Sequence, residues 1–303
     1  MRVVVALGGN ALLRRGEPLT LEALTRNARV AAEALARLSE HHEIVVTHGN
    51  GPQVGLLALQ AAALLDGPVV PLDVLGAESE GMIGYLLQRE LTNQCPGRVV
   101  ATLLTQTVVD SDDPAFEVPT KPIGPLYDAP NGLRLAGRHG WTVRPDGDGV
   151  RRVVPSPAPL GIVELPAIRA LLDRKILVIC AGGGGVPVQR DGTGRLVGVE
   201  AVVDKDATSA MLARAVDADV LLLLTDVDAV YEGWPRRDRP LGQVRASELA
   251  GRAFDPGSMG PKVAAARAFV MGGGRAAIGA LGDAAAVLDG VRGTTVVPEG
   301  GAA

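Results

Sequence analysis

The chain has 303 residues, enough for one large domain or two, and 47% of them are hydrophobic against 21% charged. A formal net charge of −4 argues against a nucleic-acid-binding surface. With no 18-residue apolar run and an opening that goes straight into a strand, no membrane span and no secretory signal are expected, and a cytoplasmic location is.

Val3–Leu7 is a purely apolar run of strand length that stops at Gly8-Gly9-Asn10. A buried strand opening into a glycine turn offers backbone N–H groups to an anion. Thr20–Glu40 reads as a helix, with Leu21, Leu24, Ala28, Ala31, Leu35 and Leu38 on one stripe and Thr20 as N-cap. Ile44–Thr47 is a second strand, and His48-Gly49-Asn50-Gly51 repeats the glycine turn before a helix from Pro52. His48 suits a local backbone contact better than catalysis. A further helix is expected from Gly76 to about Leu91, then a strand or strand pair over Arg98–Val109.

From Asp110 to Pro159 proline, glycine and charge rise and periodicity is lost, with strand-like pieces only at Trp141–Arg144 and Val150–Val154. This is the pattern of an excursion from the sheet, a small subdomain or lid. Pro166–Arg174 is a short helix, and the strand Ile176–Ala181 runs into Gly182-Gly183-Gly184-Gly185. Asp206 heads a helix through Ala215 and is placed to cap it. Asp219–Leu224 is a fully buried strand ending in the polar Thr225-Asp226. Ser258–Lys262 precedes a helix to about Met271, Arg275–Leu281 is the last central strand, and Thr294–Val297 is an edge strand. Strands alternating with helices throughout predict a mostly parallel sheet covered on both faces, with ligands at the strand C-termini. Cys95 and Cys180 sit in no metal or redox spacing and read as reduced, buried thiols.

Only four of the 30 basic residues are lysine: Lys121, Lys175, Lys205 and Lys262. Where arginine serves as the general cation, a lysine in a Pro-, Gly- or Asp-rich turn is a departure. Lys121, Lys205 and Lys262 all make it. A compact ammonium on a flexible stem suits a small charge that moves. Neither G-x-x-x-x-G-K-[ST] nor G-x-G-x-x-G is present, since Gly49–Gly55 has one residue too many. Phosphoryl transfer fits this set, because its transition state asks for positioning and neutralisation. With no histidine or carboxylate base beside a nucleophile, the expected acceptor is one already ionised.

These stretches resemble the carbamate kinases, within the amino acid kinase superfamily. The resemblance rests on Val5–Leu12 (VALGGNAL), Thr47–Gly55 (THGNGPQVG), Ala77–Tyr85 (AESEGMIGY), Pro119–Pro125 (PTKPIGP) and Arg151–Pro157 (RRVVPSP). It continues through Ala181–Gly185 (AGGGG), Gly198–Asp206 (GVEAVVDKD), Leu224–Tyr231 (LTDVDAVY) and Gly257–Lys262 (GSMGPK). It implies a three-layer α/β/α sandwich with a central mostly parallel sheet and a small protruding subdomain at about 115–158. The single domain 1–303 would divide into a carbamate side, about 1–200, and a nucleotide side, about 201–303. The implied reaction is reversible phosphoryl transfer between ATP and carbamate, with Mg²⁺, commonly run toward ATP in arginine breakdown, by a homodimer.

By the same resemblance Gly8, Gly9, Asn10, Gly49, Asn50 and Gly51 would hold the transferred phosphate and the carbamate, with Gly182 and Gly183 beside them. Lys205 and Lys262 would stabilise the moving charge, Asp206 would orient them, and Lys121 would reach in from the subdomain. Thr225, Asp226, Tyr231, Met259 and Gly260 would line the nucleotide site, though Tyr231 and Met259 suit a core equally well. No residue is assigned as a metal ligand. The chain departs from the family pattern at Glu80, often Gln, at Leu126, often Phe, and across Asp128–Gly149. The competing readings are an amino acid kinase for another carboxylate or a nucleoside monophosphate, and a non-catalytic sensor that kept the fold.

Overall fold

The structure is a computed structural model that describes residues 1–13, 16–64, 70–233, 239–255 and 257–299. Strand β1 (Arg2–Leu7) lies inside an eight-stranded sheet. Val3, Val5 and Leu7 enter one apolar cluster and Val4 and Ala6 another. A strand buried on both faces needs no polar alternation, so its sequence is one continuous apolar run. A single helical turn, α1 (Gly9–Leu12), follows. Helix α2 (Leu21–Ser39) starts where Thr20 accepts a hydrogen bond from the Ala23 N–H at 3.2 Å, and β2 (Glu43–His48) pairs in parallel with β1.

Next come α3 (Gly51–Leu64), α4 (Leu72–Gln94), β3 (Val100–Thr102) and β4 (Gln106–Val109). Helix α4 begins four residues before the expected Gly76. The reason is tertiary: the distant Glu200 carboxylate accepts the Leu72 N–H at 2.8 Å and satisfies an end that local sequence leaves open.

The excursion forms its own small sheet. Strands β5 (Lys121–Tyr127), β6 (Thr142–Asp146) and β7 (Gly149–Val154) pair antiparallel in the order β5-β7-β6, with α5 (Ala129–His139) between β5 and β6 in sequence. Helix α5 corrects the expectation of a segment without periodicity. Its ends are marked instead: Asp128 accepts the Asn131 N–H at 2.8 Å, Pro130 sits in the first turn, and Gly140 closes the helix at φ 66°. Gly132 alone in this helix is buried, so its amphipathic pattern faces no core.

Strand β8 (Pro159–Ile162), helix α6 (Leu165–Asp173) and strands β9 (Leu177–Ile179), β10 (Val186–Arg190) and β11 (Leu196–Gly198) follow. A second, four-stranded sheet has the order β11-β10-β4-β8. Then come α7 (Lys205–Ala215), β12 (Val220–Thr225), β13 (Val230–Tyr231), β14 (Pro240–Leu241) and β15 (Gln243–Arg245). The described chain ends with α8 (Met259–Val270), β16 (Arg275–Ala280), α9 (Ala284–Leu288) and β17 (Thr294–Val297).

The main sheet has the order β15-β17-β16-β12-β1-β2-β9-β3, and only β16 and β17 run antiparallel. Helices α2, α4 and α9 cover one face and α6, α7 and α8 the other, giving the expected three-layer α/β/α sandwich. Strand β17 is not the edge, because Gln243–Arg245 pairs outside it. Three residues with Val244 alone buried are too short to register as a strand in sequence.

Candidate active site

Parallel register sets the site. Leu7 pairs with His48 on one side and Leu224 on the other, so the ends of β1, β2 and β12 share one rim. The turns there meet backbone to backbone. A Cβ on Gly49 would lie 2.9 Å from the Gly9 nitrogen, so this position has room only for glycine. Above the rim is a cavity of about 320 Å³.

Thirteen of the residues singled out in sequence line that cavity. Gly8 and Gly9 come from the end of β1, and Gly49, Asn50 and Gly51 from the end of β2 and the start of α3. Gly183 comes from the turn after β9, Lys121 from β5, and Lys205 and Asp206 from the first turn of α7. Thr225 and Asp226 end β12, and Met259 and Lys262 open α8. Gly182, Tyr231 and Gly260 are not among its lining residues. Gly182 lies beneath, its N–H donating to Glu80 Oε1 at 2.8 Å, and the buried Tyr231 hydroxyl donates to Asp228 Oδ2 at 2.8 Å. The side chain of Asn10 lies outside the described residues.

The electrostatic centre is Asp206, which is 4% exposed. Its Oδ1 accepts from Lys205 Nζ and its Oδ2 from Lys262 Nζ at 3.1 Å, and both lysines are 9% exposed. Asp206 is not the cap of its helix, contrary to the sequence reading. Helix α7 starts two residues earlier than a cap at Asp206 requires, and Asp204 caps it, accepting from the Asp206 N–H at 2.9 Å and the Ala207 N–H at 3.1 Å. That leaves the Asp206 carboxylate to bridge two ammonium groups. Burial alone would raise its pKa, but Lys205 and Lys262 outweigh burial and hold it well below the usual carboxylate range. Burial lowers the Lys205 pKa, and the Lys262 charge adds to that. Burial also works against Lys262, yet Asp206, Asp204 and Asp226 together raise it.

Two buried ammonium groups share one carboxylate at the cavity wall. A buried excess of positive charge is costly without an anion. Lys121 enters from β5 and pairs with Asp204, so three of the four lysines converge here. The fourth, Lys175, is 80% exposed in its side chain and pairs with Glu43 at 3.0 Å, at the opposite ends of the strands. The bias toward arginine was therefore a usable signal.

Support comes from residues that the sequence did not place in the site. Ser79 Oγ accepts from Asn50 Nδ2 at 2.8 Å and donates to the Gly76 carbonyl at 2.8 Å, which orients the Asn50 amide. A serine inside a helix was the available hint. Glu80 is 1% exposed under the glycine turn, and its Oε2 accepts the Thr105 N–H at 3.3 Å. Burial pushes its pKa up to about 8. His48 is fully buried with Nδ1–H donating to the Gly49 carbonyl at 3.2 Å, and burial lowers its pKa to about 4, so the ring is neutral. The local backbone role expected for His48 is the one it has.

Glu80 gives a pH prediction. Its pKa rises from 4.5 unfolded to about 8 folded, so the native state holds the extra proton between those values. The stability it contributes is complete below pH 4.5 and is lost as pH rises through about 8. Urea unfolding of the wild type across that window carries this loss, and Glu80→Gln removes that component of the slope. An unchanged slope in the variant would refute the assignment.

Among the described residues no group of three or more His, Cys, Asp or Glu side chains could hold a metal ion, and no helix is long and apolar enough to cross a membrane.

The profile of the amino acid kinase family, a family of phosphotransferases, matches residues 1–279. The chain belongs to the amino acid kinase family. Its relatives there include the carbamate kinase of Rhizobium meliloti, 53% identical over 301 residues that cover 98% of this chain and 93% of the relative. The carbamate kinase of Haemophilus influenzae is 51% identical, covering 98% of this chain and 96% of its own. Among solved structures, the carbamate kinase from Giardia lamblia bound to AMP-PNP superposes with a TM-score of 0.88 at 39% identity, covering 98% of each chain.

Proposed function

We propose that this protein is a carbamate kinase, catalysing carbamoyl phosphate + ADP ⇌ carbamate + ATP. The observation that carries the reading is the Lys205–Asp206–Lys262 cluster at the wall of a cavity ringed by strand-end glycine turns. Full-length similarity to carbamate kinases supports the acceptor.

In the ATP-forming direction, a β-phosphate oxygen of ADP attacks phosphorus and the P–O bond to the carbamoyl oxygen breaks. The electron pair leaves with carbamate, which decomposes to ammonia and CO₂. No proton moves in the transfer, which agrees with a cavity whose described lining residues set no base beside a nucleophile. The glycine turns at 8–9 and 49–51 hold the carbamoyl phosphate side, with Lys121 above them. Thr225, Asp226 and Met259 face the nucleotide side. Lys205 and Lys262 meet the charge on the phosphoryl group as it passes, and Asp206 keeps both in place without reorganisation. Mg²⁺ enters as part of the nucleotide substrate. Asp204 and Asp206 are engaged by lysines, which suits an ion carried mainly on phosphate oxygens.

The test is a donor panel with MgADP: carbamoyl phosphate, acetyl phosphate and N-acetylglutamyl phosphate. ATP is expected from carbamoyl phosphate in clear preference. Equal or better use of another acyl phosphate would reassign the substrate, and no ATP from any would leave a binding protein.

A further inference from the structure

Lys121 belongs to the small three-stranded sheet, and the root of that sheet is tied closely to the body. A Cβ placed on Gly55 of α3 would lie 1.9 Å from the Cα of Gly124 and 2.2 Å from its nitrogen, so the two backbones touch. Gly124 is in β5, at φ 73°, where the pairing with β7 shifts register between Ile123 and Tyr127. Arg151 of β7 donates to the Gly124 carbonyl at 3.2 Å and holds the irregular stretch. Beside the contact, Val54 and Ile123 are buried in one cluster with Val154 and Val202.

Gly55 lies four residues into the helix that opens at Gly51, about 6 Å along its axis. Gly124 lies three residues beyond Lys121, about 10 Å along the strand. Both arms are short, and both end at the cavity, on Gly51 and on Lys121. The contact is a fulcrum between them.

We infer that Gly55 is a positioning residue for phosphoryl transfer: its bare Cα seats β5 on α3 and so sets Lys121 over the Gly49-Asn50-Gly51 turn. The inference rests on the carbamoyl phosphate reading of this site. On this account the root of the subdomain, through Ile123, is part of the rigid body. Lys121 is preset, and its ion pair with Asp204, the cap of α7, registers that setting.

The test is Gly55→Ala in the full chain. A methyl 1.9 Å from a backbone atom finds no relief in a rotamer, so β5 must move. A displacement of that order costs roughly a hundredfold in rate. The expected result is a fall of about that size in kcat/KM for carbamoyl phosphate, with the Kd for MgADP within about twofold of wild type. Gly55→Ala should add nothing to Lys121→Ala, because both remove the same contact. Gly137→Ala, in open space on α5, should leave both quantities unchanged.

Wild-type kcat/KM in Gly55→Ala would overturn the inference. So would a loss that adds in full to that of Lys121→Ala, or a parallel loss of MgADP affinity. If Gly55→Ala does not fold, Gly124→Ala carries the same test. Its Cβ would sit 3.4 Å from the Gly55 Cα, an ordinary contact, and the disturbance comes from the positive φ. Failure of the carbamoyl phosphate reading is distinct, since the wild type itself would then make no ATP.

Discussion

Lys205→Ala and Lys262→Ala each lower kcat by about two to three orders of magnitude, the scale of removing one preorganised stabiliser of transition-state charge. The argument is geometric. Both Nζ atoms are bound to the two oxygens of one buried carboxylate, so neither spends energy on reorientation when the phosphoryl group passes between substrates. Because they serve the moving charge, kcat should fall more than the apparent affinity for MgADP. Lys175→Ala is the matched control, since that side chain sits in solvent at the far end of the strands. A Lys175→Ala defect comparable to the other two would show that lysine loss acts through stability or net charge.

Asp206→Asn has the second large effect, and it reaches stability as well as rate. The asparagine keeps the shape but leaves two buried ammonium groups without their shared counter-charge. Breaking a buried ion pair in this way costs about 3–5 kcal/mol. One lysine relieves the repulsion by giving up its proton, so its pKa falls and activity declines at lower pH than in the wild type. Three results are expected together: lower kcat, a lower Tm, and partial recovery of Tm on adding MgADP, whose phosphates replace the missing negative charge. A variant as stable as wild type, with an unshifted alkaline limb, would mean that Asp206 does not hold the pair.

The main features were legible because they are local. Three apolar strands running into glycine turns announced the rim, and the rarity of lysine separated Lys121, Lys205 and Lys262 from the surface cations. What escaped depends on contacts between distant segments. Asp204 and Asp206 are equally good caps in sequence, and only the start of α7 at Lys205 decides between them. Helix α4 starts early because Glu200 arrives from another part of the chain. Helix α5 was passed over in a Pro- and Gly-rich stretch, although its residues are amphipathic and Asp128, Pro130 and Gly140 framed it and could have been read. Gly55 stood in a quoted motif, yet its neighbour Gly124 lies 69 residues away and no spacing reveals it.

The most direct test of phosphoryl transfer from carbamoyl phosphate to ADP by cleavage of the P–O bond uses carbamoyl phosphate with heavy oxygen in its C–O–P bridge. Incubated with MgADP and the wild-type protein, it should give ATP without the label, because the bridge oxygen leaves with carbamate. ATP carrying the bridge label, or phosphate released with no ATP formed, would contradict the account.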